Sequence, residues 1–201
     1  MESPAADLSA GRAYHLLCSM VAPRPIAWVT SQDAAGRTNA APFSWFQAVC
    51  ADPPMVMVAV VDRPDGLKDT ARNVLETQEF VVNIARGGQL AALVATSAEL
   101  PHGENELDAV GLPSSPARTV APPRIDGCAG WLECRLAEHH RYGRDKATTV
   151  LVGEVVHVGL ADDVTTPRGM LDPVAAQLVA RLGGDDYLRV TETFPVRRPQ
   201  S

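Results

Sequence analysis

Residues 24–46, RPIAWVTSQDAAGRTNAAPFSWF, constrain this chain more than any other stretch. Two apolar runs, 26–30 and 40–46, flank a polar turn that holds Asp33, Gly36, Arg37 and Asn39. The pattern predicts a β-hairpin with a loop of medium length, because turn-forming residues interrupt two segments suited to a half-buried pleat. Its small residues are unusual. Thr30, Ser31, Asn39 and Ser44 stand beside Ala40, Ala41 and Pro42. Small residues at a strand edge let a flat ligand approach the backbone, and strand amides and hydroxyls there could bond a heteroaromatic ring.

Strand-like segments recur at 26–30, 40–50, 55–61, 79–83, 132–142 and 148–158, each β-branched or aromatic in content or bounded by Pro, Gly and Asp. In the strongest, TTVLVGEVVHV, Gly153 suggests a bulge or a close backbone approach. Helical patterns are fewer. Leu67, Ala71, Val74 and Leu75 share one face of a helix over 67–75. A short Ala-rich helix is expected over 90–96, and another over 174–182 behind the cap Asp172-Pro173. Without a βαβ rhythm, a mainly β antiparallel barrel with helical inserts fits better than a parallel sheet. One domain is expected over 12–195, with loose ends at 1–11 and 196–201. Long loops at 101–130 suit a functional role.

Of the 201 residues, 46% are apolar, enough for a full core in one domain. The net charge of −6 argues against nucleic acid and anionic membrane as partners, both of which need a basic face. The longest apolar run is far below the ~20 residues that span a bilayer. No basic start precedes an apolar core in residues 1–20, so a cytoplasmic location is expected. Cys18, Cys50, Cys128 and Cys134 read as reduced, mostly buried thiols. The spacing of Cys128, Cys134, His139 and His140 fits no zinc pattern, so no metal is expected.

The chain lacks both GxGxxG and GxxxxGK[ST]. Another anion cradle is possible at 63–73. Asp65-Gly66 makes a turn before a helix that starts near residues 68–70. A helix N-terminus offers unpaired amides and a positive dipole end, Lys68 and Arg63 add charge, and Thr70 adds a hydroxyl. Asp69 would repel a phosphate and reads as a helix cap facing away. Spacing alone fits an ordinary capped helix with a solvated Lys68 at least as well. In a regular strand Ser44 and Phe46 share one face, Phe43 and Trp45 the other. The first pair is taken to line the site, against core packing of the aromatics. Gly183-Gly184 would stop the preceding helix, and Tyr187 would begin a last strand. His102, Gly103, Glu104 and Glu106 are candidates for a nicotinamide entrance, although a lone loop histidine is more often solvated.

The motif PRPIAWVTSQDAAGRTNAAPFSWF, followed in order by RPDGLKDTARNVLETQEFVVNI, GENELDAVGL, PPRIDGCAGWLECRL and ARLGGDDY, resembles the flavin reductase-like domain family, the FMN-binding split barrel of the flavoredoxin group. The resemblance spans about residues 12–190. It implies an antiparallel Greek-key split barrel that binds FMN, with Lys68, Asp69 and Thr70 at the phosphate. Arg63 belongs to the same patch, and Thr30, Ser31, Asn39, Ala41, Pro42, Ser44 and Phe46 line the flavin site. Arg181, in RLGGDDY, would lie near the flavin or a dimer contact. The implied activity is NAD(P)H-dependent flavin reduction by a homodimer that serves a monooxygenase or another redox protein. An electron carrier of the flavoredoxin type is the alternative, and another flavin oxidation a third. Hydride passes directly between the cofactors, so no catalytic side chain is expected.

Overall fold

In the computed structural model, which describes residues 2–144, 147–197 and 199, helix α1 (Ala10–Met20) and a short strand β1 (Arg24–Pro25) lead into the expected hairpin. Its arms are β2 (Ala27–Gln32) and β3 (Thr38–Phe43), paired antiparallel with Thr30 opposite Ala40 and Ser31 opposite Asn39. Asp33 builds the turn, its Oδ1 accepting from the amides of Ala35 and Arg37 at 3.0 and 2.9 Å. Then follow β4 (Phe46–Ala51), β5 (Pro54–Val61), α2 (Asp69–Thr77), β6 (Glu79–Ile84), α3 (Leu90–Ala95) and α4 (Glu106–Ala109). The short pair β7 (Ser114–Ser115) and β8 (Arg124–Ile125) precedes the long strands β9 (Gly130–Tyr142) and β10 (Thr148–Leu160), and β11 (Val179–Arg181) and β12 (Tyr187–Arg189) close the order.

Seven strands form one antiparallel sheet in the order β3-β2-β6-β9-β10-β5-β4. Its two edges, β3 and β4, are consecutive in the chain and separated only by Ser44 and Trp45. Three Cα steps reach about 11 Å at most. The sheet must therefore curl until its edges meet, and it stays split where they do. Val29, Val58, Val60, Val74, Phe80, Val82 and Leu151 fill the interior. Each contributes roughly 1.5–3 kcal/mol by leaving water. The outer face of β2 is covered too. Trp28 packs with Leu93, Leu107 and Ile125, and its Nε1 donates to Thr96 Oγ1 at 2.9 Å. Gly153 sits at a register shift of β10, where a Cβ would strike the ring of Phe80 and Cys134.

Three expectations are corrected. The segment 40–50 is two strands, because the chain bends at Ser44-Trp45 and the Trp45 carbonyl accepts from Ala59 N at 2.8 Å. The segment 174–182 is not a helix. Asp172 Oδ1 accepts from the amides of Val174 and Ala175 and starts one turn, Gln177 ends it at φ 48°, and the next residues pair as a strand with β1 and β12. Helix α1 lies mostly where no element was expected and begins at Ala10, inside the segment read as loose. Ser9 caps it by accepting from Arg12 N at 3.3 Å. The tail from residue 196 falls partly outside the described residues.

Candidate functional site

A cleft of about 50 Å³ opens between β3, the start of α2 and the segment after α3. Two local features build its basic wall. Arg63 and Gly66 exchange backbone hydrogen bonds of 2.8 and 3.2 Å, with Gly66 at φ 138°, and this tight turn brings Arg63 back toward α2. Helix α2 then starts from Lys68 in extended geometry. Its apolar Ala71 and Val74 seat it on the barrel. The first amides of a helix have no intrahelical acceptor, and no side chain caps them here. Arg63 Nε is buried and has no hydrogen-bond partner. Lys68 makes no ion pair among the described residues and lines the same cleft.

Asp69 is not the cap. It is the first helical residue, buried, and its Oδ1 receives Arg72 Nη1 at 2.5 Å and lies 2.6 Å from His102 Nδ1. Its Oδ2 is 3.9 Å from Arg63 Nη1. The Asn39 carboxamide lies 2.9 Å from Thr70 Oγ1, so β3 and α2 are joined at the cleft floor. Glu106 lines the cleft from α4 and accepts from Ala40 N at 2.8 Å. Burial pushes its carboxyl above the usual range despite that bond. Glu106 is thus an interior residue, not part of an open entrance.

Of the residues singled out by sequence, the cleft gathers Asn39, Ala41, Pro42, Arg63, Lys68, Asp69 and Thr70. Thr30 and Ser31 lie behind it, fully buried with their own partners: Thr30 Oγ1 donates to Pro123 O, and Ser31 Oγ accepts from Asn73 Nδ2 at 3.2 Å. Ser44 and Phe46 line a separate apolar groove of about 400 Å³ together with Trp45, Leu17 and Met57. The expected separation of Trp45 from Ser44 and Phe46 fails because the bend interrupts the alternation. Arg181 belongs to neither space. Its guanidinium stacks on Tyr187 at 4.4 Å and donates to Gly184 O, bracing the β11–β12 turn at Gly183-Gly184. Arg72 and Arg24 went unassigned in the sequence. The spacing Asp69-Arg72 is a helical ion-pair signal; Arg24 offered none, since its acceptors are three backbone carbonyls and a serine hydroxyl rather than a carboxylate. Cys128 is inert, its thiol pushed up to about 12 by burial.

A split sheet whose edges are bridged by two residues, with a basic, unsatisfied helix start beside one edge, defines a split-barrel protein. The Shewanella frigidimarina putative flavin reductase with a split barrel domain has this fold, at a TM-score of 0.84 and 23% identity, with all of each chain covered. The family follows from residues 20–175, which match the flavin reductase like domain: the chain belongs to that family. An uncharacterized protein of Halalkalibacterium halodurans is 39% identical over 197 residues, covering 96% of this chain and 94% of that one. Among solved structures, nitrilotriacetate monooxygenase component B from Bacillus cereus matches with a TM-score of 0.92, 30% identity and 98% of both chains covered. The Pseudomonas fluorescens 2-nitrobenzoate 2-nitroreductase NbaA matches at 0.89 and 29%, covering 99% of this chain and 96% of that one.

Proposed function

We infer that the protein binds FMN and acts as an NAD(P)H-dependent flavin reductase in the cytoplasm. The observation that carries this reading is the buried, unpartnered Nε of Arg63 beside Lys68 and the uncapped start of α2. Buried donors are almost always satisfied, so an open one next to free amides and an ammonium calls for an anion. A phosphate fits that donor set. Arg63, Lys68 and the first amides of α2 would hold it, with Thr70 and Asn39 fixing the floor. The small residues Ala41 and Pro42 would let a ring approach β3. FMN bound there supplies the acceptor for a hydride from reduced nicotinamide. The side chains orient and shield it; they need not exchange protons themselves.

Family membership and the likeness to a monooxygenase component support a redox role, with reduced flavin or electrons passed to a monooxygenase or another redox protein. A homodimer suits the groove at Ser44–Phe46, whose rim exposes Leu17 and Val21, with Val21 60% exposed. A second copy would cover that apolar rim, and light scattering should give about twice the 21.4 kDa chain mass.

The deciding experiment is the visible spectrum of the purified protein, chromatography of the flavin released on denaturation, and steady-state NADH and NADPH oxidation. The expected result is one FMN per chain and turnover of free flavin. Stoichiometric FAD, or protein that stays colourless in excess FMN, overturns the assignment. Slow nicotinamide oxidation with fast electron exchange to a redox protein would instead favour the electron-carrier alternative.

A further inference from the structure

Asp69 stands in an awkward place for an anion site. It is the first residue of α2, buried, and forms the partition between the cleft and a small notch lined by Asp33, Arg37, His102 and Gly103. We propose that His102 is a positioning residue that holds the Asp69 carboxylate to the notch side and thereby sets the preference of the cleft for phosphorylated over unphosphorylated flavin. This rests on the reading of the cleft as a phosphate site.

The hydrogen bonds define the imidazole. His102 Nε2 lies 3.3 Å from Arg37 Nη2, and a guanidinium only donates, so Nε2 accepts and the ring proton sits on Nδ1. That proton points to Asp69 Oδ1, 2.6 Å away. Arg72 Nη1 also lies 3.0 Å from Nδ1, and its hydrogen goes to the same Asp69 oxygen at 2.5 Å, so the short contact to Asp69 keeps the ring proton on Nδ1. Arg37 is held in turn, its Nε donating to Asp33 Oδ2 at 2.6 Å. The result is a continuous chain, Asp33–Arg37–His102–Asp69–Arg72, from the hairpin turn to the start of α2. Two donors, from His102 and Arg72, thus fix Oδ1 of Asp69 on the notch side, while Oδ2 faces the cleft 3.9 Å from Arg63 Nη1. Gly103 makes the docking possible. Its φ is 89°, and a Cβ there would come within 2.5 Å of Arg37 Nη1. Without His102, only Arg72 holds the Asp69 carboxylate on the notch side, and Oδ2, already 3.9 Å from Arg63 Nη1, can close on Arg63 and Lys68 and compete with a phosphate for the same cations.

The test compares FMN and riboflavin affinities by fluorescence titration of flavin-free protein. In His102→Ala the FMN affinity should fall about tenfold while riboflavin binding stays within twofold. His102→Asn keeps a donor at the Nδ1 position and should retain the FMN preference. Adding Asp69→Asn to His102→Ala removes the charge that His102 restrains and should restore most of it. The melting temperature of each flavin-free variant reports folding separately. Equal loss of FMN and riboflavin in His102→Ala, or no recovery in the double variant, overturns the positioning role. A wild-type protein that binds riboflavin as tightly as FMN overturns the phosphate reading itself, before any variant is compared.

Discussion

Arg24 and Arg63 are both drawn beneath the surface, one at the foot of α1 and the other beside α2. The guanidinium of Arg24 meets four acceptors: Cys18 O at 2.5 Å, Val21 O at 2.9 Å, Leu182 O at 2.8 Å and Ser44 Oγ at 3.3 Å. It caps the C-terminal end of α1, where carbonyls lack helical partners and the dipole favours a cation. Arg63 Nε meets none. Glu99 Oε1 is the near carboxylate oxygen at 3.7 Å, beyond a hydrogen bond. A buried cation whose three nitrogens all meet acceptors is part of the scaffold. The open Nε of Arg63 differs in lying beside Lys68 and the uncapped start of α2, where an outside anion would be matched.

The largest effect expected from this contrast is on stability. Arg24→Ala strands three carbonyls, that of Cys18 buried and those of Val21 and Leu182 partly so, and frees α1 from the β11–β12 arm. It should cost about 3–5 kcal/mol in urea denaturation of the flavin-free protein. A loss below about 1 kcal/mol would break the comparison from its structural side.

Arg63→Ala and Lys68→Ala should do the reverse. Each is expected to weaken FMN binding ten- to hundredfold, about 1.5–3 kcal/mol for a charge-assisted contact. Flavin-free stability should change by less than about 1 kcal/mol, because Arg63 loses only long ion pairs to Asp69 and Glu99 at 3.9 and 3.7 Å. Thr70→Ala sharpens the contrast by moving both readouts, since its hydroxyl also meets Asn39. If Arg63→Ala destabilised the protein as much as Arg24→Ala, the two arginines would be scaffold alike.

A smaller effect tests the acid in the cleft. Burial raises the Glu106 carboxyl above its ordinary 4.5. Its favourable contribution is therefore complete below that ordinary value and is lost as pH rises through the raised one. Above the ordinary value the fold disfavours the charge that Glu106 takes readily in the unfolded chain. Glu106→Gln should raise the melting temperature at pH 7–8 by about 2 °C, a change worth roughly 1 kcal/mol at this size, and make no difference near pH 4. A gain that persists at pH 4 would mean that packing, not ionisation, is responsible.

Much of the fold was legible where the signal is local. The hairpin at Asp33–Gly36, the bulge at Gly153 and the amphipathic α2 follow from turn chemistry and periodicity. Elements decided by distant partners were not. Helix α1 buries only Cys18 fully, so its apolar pattern says little, and Ser9 was its one local signal. Residues 174–182 have a helical pattern that pairing with β1 overrides. The two-residue break at Ser44-Trp45 hides inside a run that reads as one strand on both sides.

The same division holds at the site. Sequence alone determined which chemistries lie near one another along the chain: small residues on β3, and Arg63, Lys68 and Thr70 around a helix start. Only the tertiary structure decided which of those groups are spent and which remain open. Thr30 is satisfied by Pro123, Ser31 by Asn73, and Arg24 by Leu182, each from another part of the chain. Asp69 is claimed by His102 from a loop beyond α3. Hydrogen bonding saturates. A donor is available to a ligand only after every protein acceptor within about 3 Å has been counted, and those acceptors are brought there by packing.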